Sequence, residues 1–153
     1  MRQALRAALI AATLLTGQPV AAQTDPAQTD PGVSEPTGPL TVEINKFEAN
    51  DTGGCRAFFL FRNETGLTFE GFEMSLAIFD ATGIIDRLLS IDAAPLPAAR
   101  TTLKLFEIPD IACTDISEVL LHEIPSCKPQ NEDERDCFAM LRLSSRTSAT
   151  LVK

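Results

Sequence analysis

At 153 residues, 44% of them hydrophobic and 22% charged, the chain has enough apolar content for one folded domain with extra segments. Its formal charge of −8, with no Lys/Arg-rich segment, excludes the phosphate-neutralising mode of nucleic-acid binding and argues against adsorption to anionic membranes. The partner this charge allows is a protein, a basic one in particular.

Arg2 and Arg6 open the chain, the run from Ala7 to Leu15 is apolar and uncharged, and Gly17 and Pro19 precede the small residues Val20-Ala21-Ala22. This is the layout of a secretory signal peptide over residues 1–22, cut after Ala22. The apolar run falls well short of the ~20 residues that a membrane-spanning helix needs. No paired arginines precede it and no cysteine follows the cut, so the general secretory route is expected and a lipid anchor is not. Loss of the leader takes the formal charge from −8 to −10.

Residues 23–39 change composition. Pro26, Pro31, Pro36 and Pro39 punctuate Thr, Asp, Gln and Gly, and Ala22-Gln-Thr-Asp-Pro26 recurs as Ala27-Gln-Thr-Asp-Pro31. Two copies of a pentapeptide do not bury a face as repeat folds do, so a disordered, partly extended linker is expected.

From residue 40 to 153 period-two patterns dominate. Leu40, Val42 and Ile44 share one face of a first strand. In Cys55–Arg62 one face carries Cys55, Ala57, Phe59 and Phe61, and the other carries Arg56, Phe58, Leu60 and Arg62. That pattern predicts a central strand covered on both faces at mid-length. Asn63-Glu-Thr-Gly66 reads as a turn in which Asn63 bonds nearby backbone rather than as a glycosylation acceptor. Phe72, Met74, Leu76 and Ile78 form the longest apolar stripe, with Gly71, Glu73, Ser75 and Ala77 opposite.

Asp80-Ala-Thr-Gly83 then turns the chain into a strand over 84–91. Pro95 and Pro97 predict an extended connection, not a paired strand. Strands follow over 101–108, 116–124 and 137–143, the last with Ala139, Leu141 and Leu143 on one side, and an edge strand or bulged continuation over 147–152. A single helical turn fits between Ile108 and Glu118. About seven or eight short strands with turns between them predict an all-β sandwich or barrel. With no tryptophan, an immunoglobulin-like sandwich has to build its core from Phe and Leu.

Phe61-Arg-Asn-Glu-Thr-Gly66, Gly71-Phe-Glu-Met-Ser-Leu-Ala-Ile-Phe-Asp80 and Thr82-Gly83 resemble a pattern of bacterial extracytoplasmic immunoglobulin-like domains. Residues 40–152 as a whole resemble small, uncharacterised exported proteins of alphaproteobacteria, which share the Gly-Cys-Arg, Arg-Asn and downstream cysteine positions. The resemblance implies an immunoglobulin-like β-sandwich and export, and no particular activity.

Cys55, Cys113, Cys127 and Cys137 are an even set in an exported chain, so two disulfides are expected, with three connectivities open. The favoured pairing joins Cys127 to Cys137, closing a hairpin loop over the polar segment between them, and Cys55 to Cys113 across a long loop. The exposed segment with Lys128, Glu132, Asp133, Glu134, Arg135 and Asp136 is a candidate recognition loop. It lacks the glycine and the alternation of an EF-hand calcium loop.

His122 is the sole histidine, and on a regular strand it cannot share an ion with Glu123, because adjacent residues point to opposite faces. Met74 and Met140 read as core packing rather than copper ligands. No Gly-x-Ser-x-Gly, Cys-x-x-Cys or Gly-rich phosphate loop occurs. The reading is therefore a non-enzymatic protein of the periplasm (or secreted) that needs no cofactor and acts as an accessory or protein-binding module of unassigned oligomeric state. The alternative is an inhibitor of a basic hydrolase such as a lysozyme, with the 127–137 loop entering its cleft.

Overall fold

The computed structural model describes residues 38–153; the expected signal peptide and the linker up to residue 37 lie outside the described residues. Alternation of apolar and polar side chains sets up β1 (Leu40–Ala49), β2 (Cys55–Asn63), β3 (Phe69–Phe79), β4 (Ile85–Asp92), β5 (Arg100–Ile108), β6 (Glu118–Pro129), β7 (Leu141–Ser145) and β8 (Thr150–Val152). They form two sheets, β5-β2-β1-β7 and β4-β3-β6-β8, packed as a sandwich around one core. Pairing is antiparallel except at one edge, where short β7 runs parallel to β1 and β8 runs parallel to β6.

The β3 stripe of Phe72, Met74, Leu76 and Ile78 is buried, as are Leu40, Val42 and Ile44 of β1 and Ala57, Phe59 and Phe61 of β2. With no tryptophan available, phenylalanines bridge the sheets. Phe106 packs edge-on against Phe59, Phe59 stacks on Phe61, and Phe61 meets Phe72 edge-on across the inter-sheet space at 6.2 Å; Phe72 then meets Phe69. Phe59, Phe61, Phe69 and Phe72 are buried, each contributing about 1.5–3 kcal/mol, while Phe106 is half-buried.

Three turns use one grammar. Asn50-Asp-Thr-Gly53, Asn63-Glu-Thr-Gly66 and Asp80-Ala-Thr-Gly83 each begin with a side-chain oxygen that accepts from the backbone N–H and the hydroxyl of the Thr two residues on. Each ends on a glycine with φ near +80°, where a side chain is strained.

The middle turn does more than the others. Asn63 is buried, and its Nδ2 lies 2.7 Å from the Leu67 carbonyl, 3.0 Å from that of Leu96 and 3.1 Å from that of Pro97. One amide thereby ties the β2–β3 turn to the connection between β4 and β5. Leu96 in that connection also exchanges two backbone hydrogen bonds with Phe69, so the segment expected to run unpaired makes a β-bridge between its two prolines.

Three further expectations change. The face of β2 that carries Phe58 and Leu60 is only half-buried, because none of the described residues packs over the outer side of its sheet; among them β2 is central in the sheet but covered on one face. Residues 138–140 form a 3-10 turn, so β7 starts only at Leu141, and Ala139 is exposed instead of sharing a face with Leu141 and Leu143. Finally, β6 and β7 belong to different sheets, so the segment between Cys127 and Cys137 is a crossover and not a hairpin loop. The helical turn expected between Ile108 and Glu118 is a 3-10 turn at Cys113–Asp115.

The strands β4 and β5 are sheet edges. Each points a cation toward the inner side. Lys104 stands opposite Phe59 and donates to the Ala94 carbonyl at 2.8 Å; Arg87 stands opposite Ile78 and donates to the Pro109 carbonyl. Inward charges on edge strands oppose pairing with another chain's edge. Asn63→Ala should lower stability by about 1–3 kcal/mol, since it removes the shared donor of the half-buried Leu67 and Pro97 carbonyls and one of the two donors of the buried Leu96 carbonyl. Asn63→Asp should be no milder, because it keeps the acceptor for Thr65 but removes the donor. Urea unfolding at constant m-value measures both, and a loss within error of zero for either variant would contradict this role.

Candidate functional site

The two disulfides join Cys55 to Cys113 and Cys127 to Cys137, across sequence separations of 58 and 10. In the chain-entropy picture these closures are worth about 4 and about 3 kcal/mol. Cys113 sits in the 3-10 turn before β6, and both Cys55 and Cys137 are fully buried. Two disulfides point to an oxidising, non-cytoplasmic location. No helix among the described residues is long and apolar enough to cross a membrane.

Lys128, Glu132, Asp133, Glu134, Arg135 and Asp136 are all exposed. The loop has a defined shape. Its start is fixed by the Gln130 N–H on the Thr68 carbonyl, its middle by the Arg135 N–H on the Cys127 carbonyl, and its end by the Asp136 side chain accepting from the Phe138 N–H. Arg135 pairs with Glu132. Lys128 lines a shallow depression with Glu70, Asn131, Glu132 and Asp133.

His122 and Glu123 are exposed, and β6 is irregular there: Ser75 is opposite Glu123 while Leu76 is opposite Leu121. His122 is the extra residue of a bulge, and its Nε2 lies 3.9 Å from the Glu123 carboxylate. The bulge thus brings together two side chains that a regular strand would separate. Among the described residues no group of three His, Cys, Asp or Glu side chains is placed to hold a metal ion. Met74 is core, whereas Met140 is half-buried in the 3-10 turn and not on a strand.

The most ordered surface lies elsewhere, on the outer face of the β5-β2-β1-β7 sheet. Register places its side chains in four cross-strand rows. The first holds Thr101, Arg62, Thr41 and Arg142. The second holds Leu103, Leu60, Glu43 and Ser144. Leu105, Phe58 and Lys46 form the third, and Glu107, Arg56 and Glu48 form the fourth. Leu103 and Leu105 are 52% and 49% exposed, and beside half-buried Leu60 and Phe58 they make a two-by-two apolar block. The Lys46 ammonium lies 5.2 Å from the centre of the Phe58 ring.

Charge is graded along this face. In the fourth row Arg56 is 2.6 Å from Glu107 and 3.5 Å from Glu48, and Glu48 also pairs with Lys46 of the third row at 2.5 Å, so the charges at this end are balanced. The Asn50 amide and then Arg56 hold the Glu107 carboxyl below the usual range, and Lys46 does the same for Glu48. At the other end, no carboxylate among the described residues forms an ion pair with Arg62, Arg100 or Arg142. Arg62 and Arg100 line a cavity of about 500 Å³ with Glu64, Ala99 and Thr101. The basic end thus stands out in a chain of formal charge −8.

Glu43, between the two ends, is buried on this outer face. It accepts from Asn45 at 2.9 Å, Ser144 at 3.3 Å and Arg146 at 3.5 Å. The Asn45 bond first, then the Arg146 charge, hold its carboxyl below the usual range against the opposing effect of burial.

Sequence reasoning missed this surface. The available signal was the run Leu103-Lys-Leu-Phe-Glu-Ile108, which has apolar residues on both faces of one strand, the same mark that Phe58 and Leu60 leave on β2. No family model, curated protein or solved structure matches the chain.

A group with a lowered folded pKa stabilises fully above its unfolded value, near 4.5 for Glu43, and loses that contribution as pH falls through the folded value. Glu43→Gln should therefore cost about 1–3 kcal/mol at neutral pH and clearly less near pH 3. Unfolding midpoints of both proteins across pH test this; a difference that stays constant down to the acid end would contradict the coupling.

Proposed function

We propose that this chain is an exported, non-enzymatic immunoglobulin-like β-sandwich of the periplasm, released by cleavage after Ala22, that works as a protein-binding module through the outer face of its β5-β2-β1-β7 sheet. The observation that carries the reading is the in-register block of Leu103, Leu105, Leu60 and Phe58, left open to solvent and framed by charged rows. A folded β-scaffold that only needed solubility would keep polar residues there, as antiparallel sheets with one wet face do.

The immunoglobulin-like assignment is supported by strand order. β5-β2-β1 facing β4-β3-β6 corresponds to E-B-A facing C′-C-F in that fold. The parallel edge strands β7 and β8 are additions to that plan. The disulfides fit export, and the resemblance to small exported alphaproteobacterial proteins agrees with it.

Placing a photo-crosslinking amino acid at Leu103 of the exported chain tests the docking face. Protein adducts are expected in cells from position 103 and not from Ser90, an exposed position on the outer side of the other sheet. Equal adducts at both positions, or none at 103, would count against it.

A second reading, inhibition of a basic hydrolase, draws its support from the exposed acidic loop held at Cys127 and Cys137. It predicts capture of one basic enzyme that is lost both at high salt and when Glu132, Asp133 and Glu134 are replaced by their amides. Capture indifferent to salt would remove it.

A further inference from the structure

We infer that the cavity between Arg62 and Arg100, where the β2–β3 turn meets the start of β5, is a binding site for one phosphate group. The inference is independent of what docks on the apolar block of the same sheet.

The first observation is where the unpaired cations lie. Arg56, Arg87, Arg135 and Arg146 each pair with a carboxylate. The other described arginines, Arg62, Arg100 and Arg142, pair with none and gather at one end of one sheet. Arg142 shares a cross-strand row with Arg62, and Arg100 adjoins Thr101, the residue opposite Arg62. In a chain with 21 Asp and Glu against 13 Lys and Arg, carboxylates are not scarce. Like charges held on neighbouring strands repel, and an anion bound between them relieves the repulsion.

The second observation is in the backbone. Arg62, Arg100 and Thr101 share the cavity of about 500 Å³ with Gly66 and Ala99. The turn that supplies Gly66 has two counterparts of the same design. In both of them the glycine N–H returns to the carbonyl of the first turn residue, Gly53 to Asn50 at 3.4 Å and Gly83 to Asp80 at 3.0 Å. Among the described residues the Gly66 N–H has no acceptor, and neither has the Ala99 N–H or the Thr101 hydroxyl. Ala99 also holds φ at 52°, a left-handed conformation uncommon for a residue with a side chain. Strain of this kind concentrates at ligand sites, and open backbone N–H groups in such turns form anion-binding concavities.

These donors fit a phosphate better than a carboxylate. A phosphate monoester carries about −1.5 to −2 charge and three terminal oxygens, so it can accept a guanidinium fork from each side and an N–H or hydroxyl on the third oxygen. A carboxylate has two oxygens and one charge, and a single fork satisfies it. The volume lies within the range of about 300–1,000 Å³ typical of small-ligand sites, which leaves room for the group that carries the phosphate. Glu64 also lines the cavity, and its charge opposes an anion. Its Oε2 is turned toward Gly38, 3.4 Å from where a Cβ would stand on that residue. Two arginines neutralise one phosphate, not the long row of them in a nucleic acid. The phosphate can belong to a soluble ester or to a lipid headgroup, since the arginines meet the same chemistry in both.

Titration calorimetry of the processed chain at low salt should show saturable binding of glycerol 3-phosphate and much weaker binding of acetate. For the lipid source, the chain should sediment with phosphatidylcholine vesicles only when they contain phosphatidic acid. Binding in either arm supports the site, and the arm that binds more tightly names the source. Arg62→Gln and Arg100→Gln, each checked for folding by circular dichroism, should weaken binding about tenfold or more, as loss of a charge-assisted hydrogen bond requires. Glu64→Gln should strengthen it. Arg142→Gln, outside the cavity, should leave it nearly unchanged. No saturable binding in either arm, acetate bound as well as the phosphate ester, binding indifferent to both Arg62→Gln and Arg100→Gln, weakening in Glu64→Gln, or an equal loss in Arg142→Gln would each overturn the site.

Discussion

Asn63 ties together parts of the chain that local sequence does not bring together. Its Oδ1 orders the turn after β2, and its Nδ2 serves carbonyls in that turn and in the connection that leads into β5. Asn63, Thr65 and Leu96 are buried, where polar groups that lose a partner cost about 1–3 kcal/mol. Asn63 is also the residue opposite Arg100, the first position of β5. The amide therefore helps set where β5 begins against β2. A slip of one residue in that register would turn Leu103 and Leu105 inward and put Lys104 and Phe106 outside. The order of the outer face depends on this buried hydrogen-bond cluster at one end of the sandwich.

From that register follows a division of labour between the two faces of one sheet. Inside, phenylalanines from both sheets form a continuous chain across the core. Outside, the same strands carry a second, smaller apolar set that nothing within the described residues covers. Glu43 marks the boundary between the two regimes. It is a carboxylate buried on the solvent side, sustained by Asn45, Ser144 and Arg146 from the β1 and β7 edge. Desolvating such a group is unfavourable, and only its several donors make the position tolerable.

Protection against the wrong contacts is equally specific. The disulfides fasten the two longest connections, from β5 to β6 at its middle and from β6 to β7 near its ends. The open edge strands carry inward cations. The 127–137 loop, although exposed and acidic, has much of its charge balanced locally by Arg135 and Lys128.

The sequence by itself determined the all-β class, most strand positions and the even cysteine set, because period-two alternation and turn chemistry are local. The triple use of Asn/Asp-x-Thr-Gly is local too, since each motif needs only its own side chains. Tertiary structure decided what depends on residues far apart in the chain. It made Asn63 a tie between loops, where sequence showed only a turn. It sent β6 and β7 to different sheets, so that a presumed hairpin became a crossover. Among the described residues it left Phe58 and Leu60 half-buried with no second layer over them, because apolar residues on both faces of a strand look the same in sequence whether a second layer packs on them or not. The four rows of the outer face exist only through pairing register, which joins β5, β2, β1 and β7 from across the whole domain. No periodicity along the chain records which of those residues become neighbours.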